Sequence, residues 1–274
     1  MSAQAGGNGH SEIGAKQTAP LGIIGGLVCM YLVGLNDILG VDTFSFFGGF
    51  AAICAAVWGA DAVARISQYG LGTGIPSIGI LSVGMGIIAS LFGLSVSYRT
   101  GIGFAGPLLS FATACGIGFV IGVVANRVIK MRIPTLEQAT TEVGGAAALT
   151  LTGLSTLIGG SIMFDAITTR VIDNGFVGMV LIIGALAILH PFNACLGPDE
   201  TRIRTLTLAV VTSSIAMFFC GLGSFATLSF TAAALSTVLG VLIWVVAFKR
   251  YFRLVKRDAY AVLGTGMLPE VEEM

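Results

Sequence analysis

GFVGMVLIIGALAILHPFNACLGPDETRIRTLTLAVVTSSIAMFFCGL, residues 175–222, holds two apolar runs around one polar interruption. Each run approaches the roughly 20 residues that a helix needs to cross a hydrocarbon core about 30 Å thick. Between them, residues 189–204 (LHPFNACLGPDETRIR) gather a His, two Pro, an Asn, a Cys, two acids and two Arg. The pattern reads as span, loop, span. It also raises the question of whether the interruption is only a loop or a functional break.

The rest of the chain repeats the pattern. Mean hydropathy is +0.94. Hydrophobic residues make up 55% and charged residues 10%, against about 25% charged in a soluble domain. A transmembrane β-barrel would alternate with period two in short segments, and this chain does not. The expected fold is an all-α integral membrane protein, a polytopic helical bundle. About eight spans are expected, near 21–39, 44–64, 74–96, 102–127, 143–164, 175–193, 205–222 and 225–248, with six or seven as the alternatives.

Basic residues orient the bundle, because Lys and Arg accumulate in cytoplasmic loops. With eight spans, 12 of the 14 basic residues fall on the side of the termini and only Arg99 and Arg170 on the other. Both termini are therefore expected in the cytoplasm of a multi-pass cell-membrane protein. Residues 1–19 read as a flexible tail rather than a signal peptide, because no basic region precedes an apolar core. Residues 20–248 read as the bundle, with Pro20 starting the first span. Residues 249–274 read as a basic juxtamembrane segment, suited to anionic lipids or a partner, and an acidic tail.

Glycine is frequent, at 39 residues. Small residues let membrane helices approach closely, and Gly118-x-x-x-Gly122, Gly22-x-x-Gly25-Gly26 and Gly84-x-Gly86 fit that use. Residues 115–127 and 237–250 carry a faint likeness that would fit a duplication, though chance similarity between apolar segments explains it as well. The five cysteines are scattered, without metal or disulfide spacing. A net charge of zero gives no bulk attraction to nucleic acid. Phosphate-loop, dinucleotide and zinc motifs are absent from the sequence.

Chemistry must then reside in ionisable groups near the membrane, each costly at a helix centre. Asp61 has Arg65 four residues on, on the same helical face; an interfacial ion pair is the simpler account and an ion pathway the functional one. Pro134–Gly153 (PTLEQATTEVGGAAALTLTG) starts with a Pro, and Thr135 with Gln138 suggests a capping box. Glu137 and Glu142 then lead into the fifth span. Below Glu142, Ala146, Thr150 and Gly153 lie on roughly the same face. A carboxylate above small and hydroxyl groups suits a hard cation such as Na⁺, which takes oxygen ligands. Acids at a positive helix N-terminus need no ligand at all, and both readings stand at this point. His190, Asn193 and Asp199, with Glu137, are candidates for the rim of a cytoplasmic cavity. Pro191 frees a carbonyl one turn earlier, a further oxygen for a cation. Asp165 and Arg170 read as a solvated outer loop. No residue is assigned a catalytic role, and no metal ligand is firmly assigned.

The stretches PTLEQATTEVGGAA and LHPFNACLGPDETR, the Gly-rich N-terminus and the length together resemble the C-subunit family of the archaeal tetrahydromethanopterin S-methyltransferase, over the whole chain. The resemblance implies a membrane complex of methanogens that moves a methyl group from methyl-tetrahydromethanopterin to coenzyme M by way of a cobamide and couples the transfer to Na⁺ export. It implies the large membrane subunits D and E as partners, alongside membrane lipids and with coenzyme M nearby. The cobamide would sit on a partner protein, so this chain is expected to hold no cofactor itself, to be non-catalytic alone, and to form membrane core and part of the Na⁺ route. A stand-alone secondary transporter and a purely structural scaffold are the competing expectations.

Overall fold

The computed structural model describes residues 15–67, 75–195 and 201–263, and among these every regular element is helical. The helices are α1 (Gln17–Leu39), α2 (Phe46–Ser67), α3 (Ile75–Arg99), α4 (Gly106–Val123), α5 (Leu136–Gly159), α6 (Phe164–Ile167), α7 (Phe176–Ala194), α8 (Arg202–Ser224) and α9 (Phe230–Leu263). Seven of the described helices are long and apolar enough to cross a membrane. Counting α5 with its bent continuation Phe164–Ile172 makes eight. The expected polytopic helical bundle is what the chain forms.

The fifth helix sits in the middle. Of its 24 residues, 19 are buried, and most of those are Gly, Ala and Thr. Small side chains let neighbouring backbones come close, which favours association where water provides no hydrophobic drive. A methyl group added to Gly48 of α2 would collide with the Gly153 oxygen of α5. One added to Gly118 of α4 would collide with the Thr140 oxygen, and one on Gly122 would lie 2.5 Å from Thr140 Oγ1. Gly22 of α1 meets Trp58 in the same way. The Gly118-x-x-x-Gly122 expectation is therefore realised as an α4–α5 seam. Gly84 has nothing within 4 Å.

Each end of α5 departs from its expected form. At the start there is no capping box. Thr135 is left-handed (φ 62) and makes no side-chain cap, while Gln138 Nε2 donates instead to Glu142 Oε1 at 2.7 Å. At the other end Gly160 takes φ 66, as helix-ending glycines do, and the chain bends by 76° into α6.

A broken helix exposes backbone groups that hydrocarbon cannot satisfy, and here side chains take them up. Thr227 Oγ1 donates to the Ile158 oxygen at 2.6 Å, Arg170 Nη1 to Gly159 O at 2.8 Å and Asn36 Nδ2 to Gly160 O at 2.9 Å. Beyond the break, Asp37 accepts from Ser161 Oγ at 2.6 Å and from the Ile162 N–H at 3.3 Å. Arg170 is thus a cap for α5, not part of a solvated loop; Asp165 is exposed.

Two prolines behave differently from expectation. Pro20 lies inside a helical turn that begins at Ala15, rather than starting the first span. Pro191 is buried inside α7, which runs on to Ala194. The carbonyl it frees, that of Ala187, lies 3.1 Å from Thr212 Oγ1 of α8, a hydroxyl also 3.1 Å from its own Leu208 oxygen. The last helix starts at Phe230 and continues through the basic stretch to Leu263. At 1.5 Å per residue, 34 residues span about 51 Å, well beyond the roughly 30 Å of hydrocarbon.

Candidate functional site

The C-terminal end of α2, the N-terminal ends of α1, α5 and α8, and the far part of α9 meet at one end of the bundle, here called the basic end. Four charged residues join there. Asp61 is completely buried. It receives Arg202 Nε at 2.6 Å on Oδ1 and Thr18 Oγ1 at 2.5 Å on Oδ2. Arg65 lies one turn further along α2, with Nε 3.5 Å from Asp61 Oδ2, an ionic contact without hydrogen-bond alignment. The outer nitrogens of Arg65 grip Glu142: Nη2 bonds Oε2, and Nη1 is 3.5 Å from Oε1. Trp58 Nε1 adds a bond to Oε2 at 3.0 Å, and Gln138 completes the set.

The arrangement follows from sequence and packing together. Asp61 and Arg65 are four apart, so they share a helix face. Trp58 shares that face one turn earlier. It is held between Gly22, whose missing side chain makes room for its ring, and Phe111, whose ring centroid is 6.2 Å away. Glu142 reaches α2 because its helix is small-sided below it. Among the described residues, the two carboxylates and two guanidiniums sum to zero charge. Charges this deep persist only when paired and hydrogen-bonded, since desolvating either partner alone is expensive.

The Arg65 guanidinium lies between Asp61 and Glu142 and contacts both carboxylates. Both carboxylates are thus met by cationic side chains of the same chain. The other candidates lie apart. Thr150 is buried, and its hydroxyl donates to Ala146 O of its own helix at 2.8 Å. Glu137 pairs with the exposed Arg127, 3.2 Å away. His190 and Asn193 are both exposed on the α7 surface and make no contact with the four-charge network. Asp199 lies outside the described residues. Among those residues, no three His, Cys, Asp or Glu side chains gather closely enough to hold a metal ion.

Several members escaped the reading of the sequence. Arg202 entered only as a marker of loop orientation, although its place beside a proline-broken loop was a hint. Thr18 lay in the segment read as a tail, and Trp58 carried no distinguishing signal. The opposite end also holds polar chemistry that was not expected. Asn36, Asp37, Asp42, Ser161 and Arg170 line a cup of about 460 Å³ together with Gly160. Asp42 also accepts from Ser229 Oγ at 2.7 Å. The adjacent Asn36-Asp37 inside an apolar span was the available clue.

Fold and site define a class: a polytopic helical membrane protein, built around one small-sided broken helix and tied at its basic end by a network of paired charges centred on the buried Asp61. Known sequences narrow this to one family. The MtrC family, the C subunit of tetrahydromethanopterin S-methyltransferase, matches residues 1–272. The C subunit from Methanosarcina mazei is 51% identical, aligned over 98% of this chain and 99% of the relative. That of Methanothermobacter thermautotrophicus is 41% identical over the full length of both. That of Methanococcus maripaludis strain S2 is 33% identical, over 97% and 99%. The chain belongs to the C-subunit family of tetrahydromethanopterin S-methyltransferase, as the resemblance implied.

Proposed function

We propose that this chain is a membrane-core subunit of a complex that transfers a methyl group from methyl-tetrahydromethanopterin to coenzyme M and moves Na⁺ outward as it does so. In this reading the chain lies in the cell membrane with both termini in the cytoplasm. It packs against subunits D and E, and a partner carries the cobamide. Coenzyme M would be methylated near the basic end. The chain itself makes and breaks no bond to carbon.

The observation that carries an ion-path role is Arg65 seated between Asp61 and Glu142. Arg65 acts as a tethered counter-ion. While it bridges the carboxylates, the pair is closed to other cations. When it withdraws, Glu142 keeps the Trp58 and Gln138 donors and gains room for Na⁺, a cation that prefers oxygen ligands. Binding can shift such an equilibrium only by the difference in affinity between the two states.

A scaffold role has one observation in its favour: both carboxylates are already paired, so the network is complete without Na⁺. Affinity purification of the tagged chain from native membranes tests the reading of the complex. Several membrane partners and a cobamide protein should come with it. A chain recovered alone and stable, able to move a solute by itself in vesicles, would replace the complex with a stand-alone transporter.

A further inference from the structure

The flank of the bundle carries a groove of about 520 Å³, unrelated to the charged network. Its walls come from four helices: Leu21 of α1, Cys54 and Val57 of α2, Leu206 and Val210 of α8, and Leu242, Val246 and Arg250 of α9, among others. From the spacing of its α9 wall, Leu242 to Arg250, the groove runs about 12 Å along the helix. That is close to the roughly 15 Å depth of one leaflet. The inner end is apolar, and the single charged lining residue, Arg250, stands at the basic end. Arg250 is exposed, and among the described residues no carboxylate pairs with it, as is also true of Arg253 one turn further along α9.

We propose that this groove binds one phospholipid of the leaflet at the basic end, with a hydrocarbon chain lying between α9 and α2 and the phosphate on Arg250. A guanidinium matches the planar, multi-acceptor geometry of a phosphate. A juxtamembrane cation also gains from an anionic headgroup. A partner helix fits less well. Where helices of this bundle cross closely, a glycine makes room, as at Gly48 with Gly153 and Gly118 with Thr140. The lining of this groove contains no glycine and is dominated by Leu, Ile and Val. Bulky, branched walls around an elongated space suit a flexible chain.

The test uses the assembled complex in vesicles containing phosphatidylglycerol with a photoactivatable group in its tail. The control is diacylglycerol with the same tails and no phosphate. Cross-links from phosphatidylglycerol should map to residues 206–210 and 242–247, about five- to tenfold above the control, a margin set by one cation near a headgroup. Arg250→Ala should erase the margin. Leu242→Trp, at a residue 56% exposed, should fill the groove and remove both signals. A normal set of partner proteins with each variant checks assembly, and should Leu242→Trp fail to assemble, Arg250→Ala decides by itself. Cross-links spread evenly over the outer surface, a margin that survives Arg250→Ala, or cross-links from the groove to a partner helix would each overturn the proposal.

Discussion

Arg65 holds Glu142 through its outer nitrogens and keeps Nε 3.5 Å from Asp61, so one guanidinium joins α2 to α5 between two carboxylates. Asp61 in turn holds Arg202 of α8. Three helices far apart in sequence are thereby fixed at one end by alternating charges, and removing any link strands another.

Arg65→Met is expected to leave Glu142 partly buried without a cation. Breaking such a pair costs about 3–5 kcal/mol, so the purified complex should melt at a clearly lower temperature. Arg65→Met combined with Glu142→Met should recover much of the loss, because a buried pair replaced by apolar groups is often neutral. Thermal unfolding of the single and double variants measures this directly.

The freed carbonyl of Ala187 gives a second cycle. Thr212→Val should destabilise the α7–α8 contact by about 1 kcal/mol, since Pro191 leaves that oxygen without an intrahelical donor. In a Pro191→Ala background, where the backbone N–H returns, Thr212→Val should cost less. Equal losses in both backgrounds would separate Thr212 from the proline.

Close crossing predicts a contrast between glycines. Gly48→Ala drives a methyl group into the Gly153 carbonyl, whereas Gly84→Ala meets nothing within 4 Å. The first should sharply lower the yield of folded protein. The second should be neutral or mildly stabilising, as Ala for Gly within a helix generally is. Yield and melting temperature of the two variants distinguish them.

How far the sequence foretold this protein depends on the range of the interaction. Apolar run length is local, so the helical membrane class and most spans were legible. The pairing of Asp61 with Arg65 follows from one helical turn and was legible too. Arg202 reaches Asp61 across 141 positions, and no local pattern reports such a contact. The break after α5 looked like a simple span end because its partners, Asn36, Asp37 and Thr227, are remote. His190 attracted attention because a lone histidine beside a proline is conspicuous in an apolar run. Helix phase decides its direction, and α7 turns it outward.

The break itself is open to test. Asp37→Ala removes the acceptor for both Ser161 Oγ and the Ile162 N–H, and an unsatisfied buried group costs about 1–3 kcal/mol. The bend between α5 and α6 should loosen. Hydrogen exchange at residues 160–163 should quicken more than within α5. Unchanged exchange would show that the bend stands without Asp37.

The most direct measurement is the Na⁺ dependence of methyl transfer in an assembled complex carrying Glu142→Gln. Glutamine keeps the size and much of the hydrogen bonding but removes the charge that would meet Na⁺. If Glu142 lies on the ion path, the Na⁺ concentration for half-maximal methyl transfer should rise about tenfold, as for the loss of roughly 1.4 kcal/mol of binding, or the dependence should vanish. A fully assembled variant complex whose methyl transfer responds to Na⁺ as the unmodified complex does would contradict the account and leave the network a structural tie.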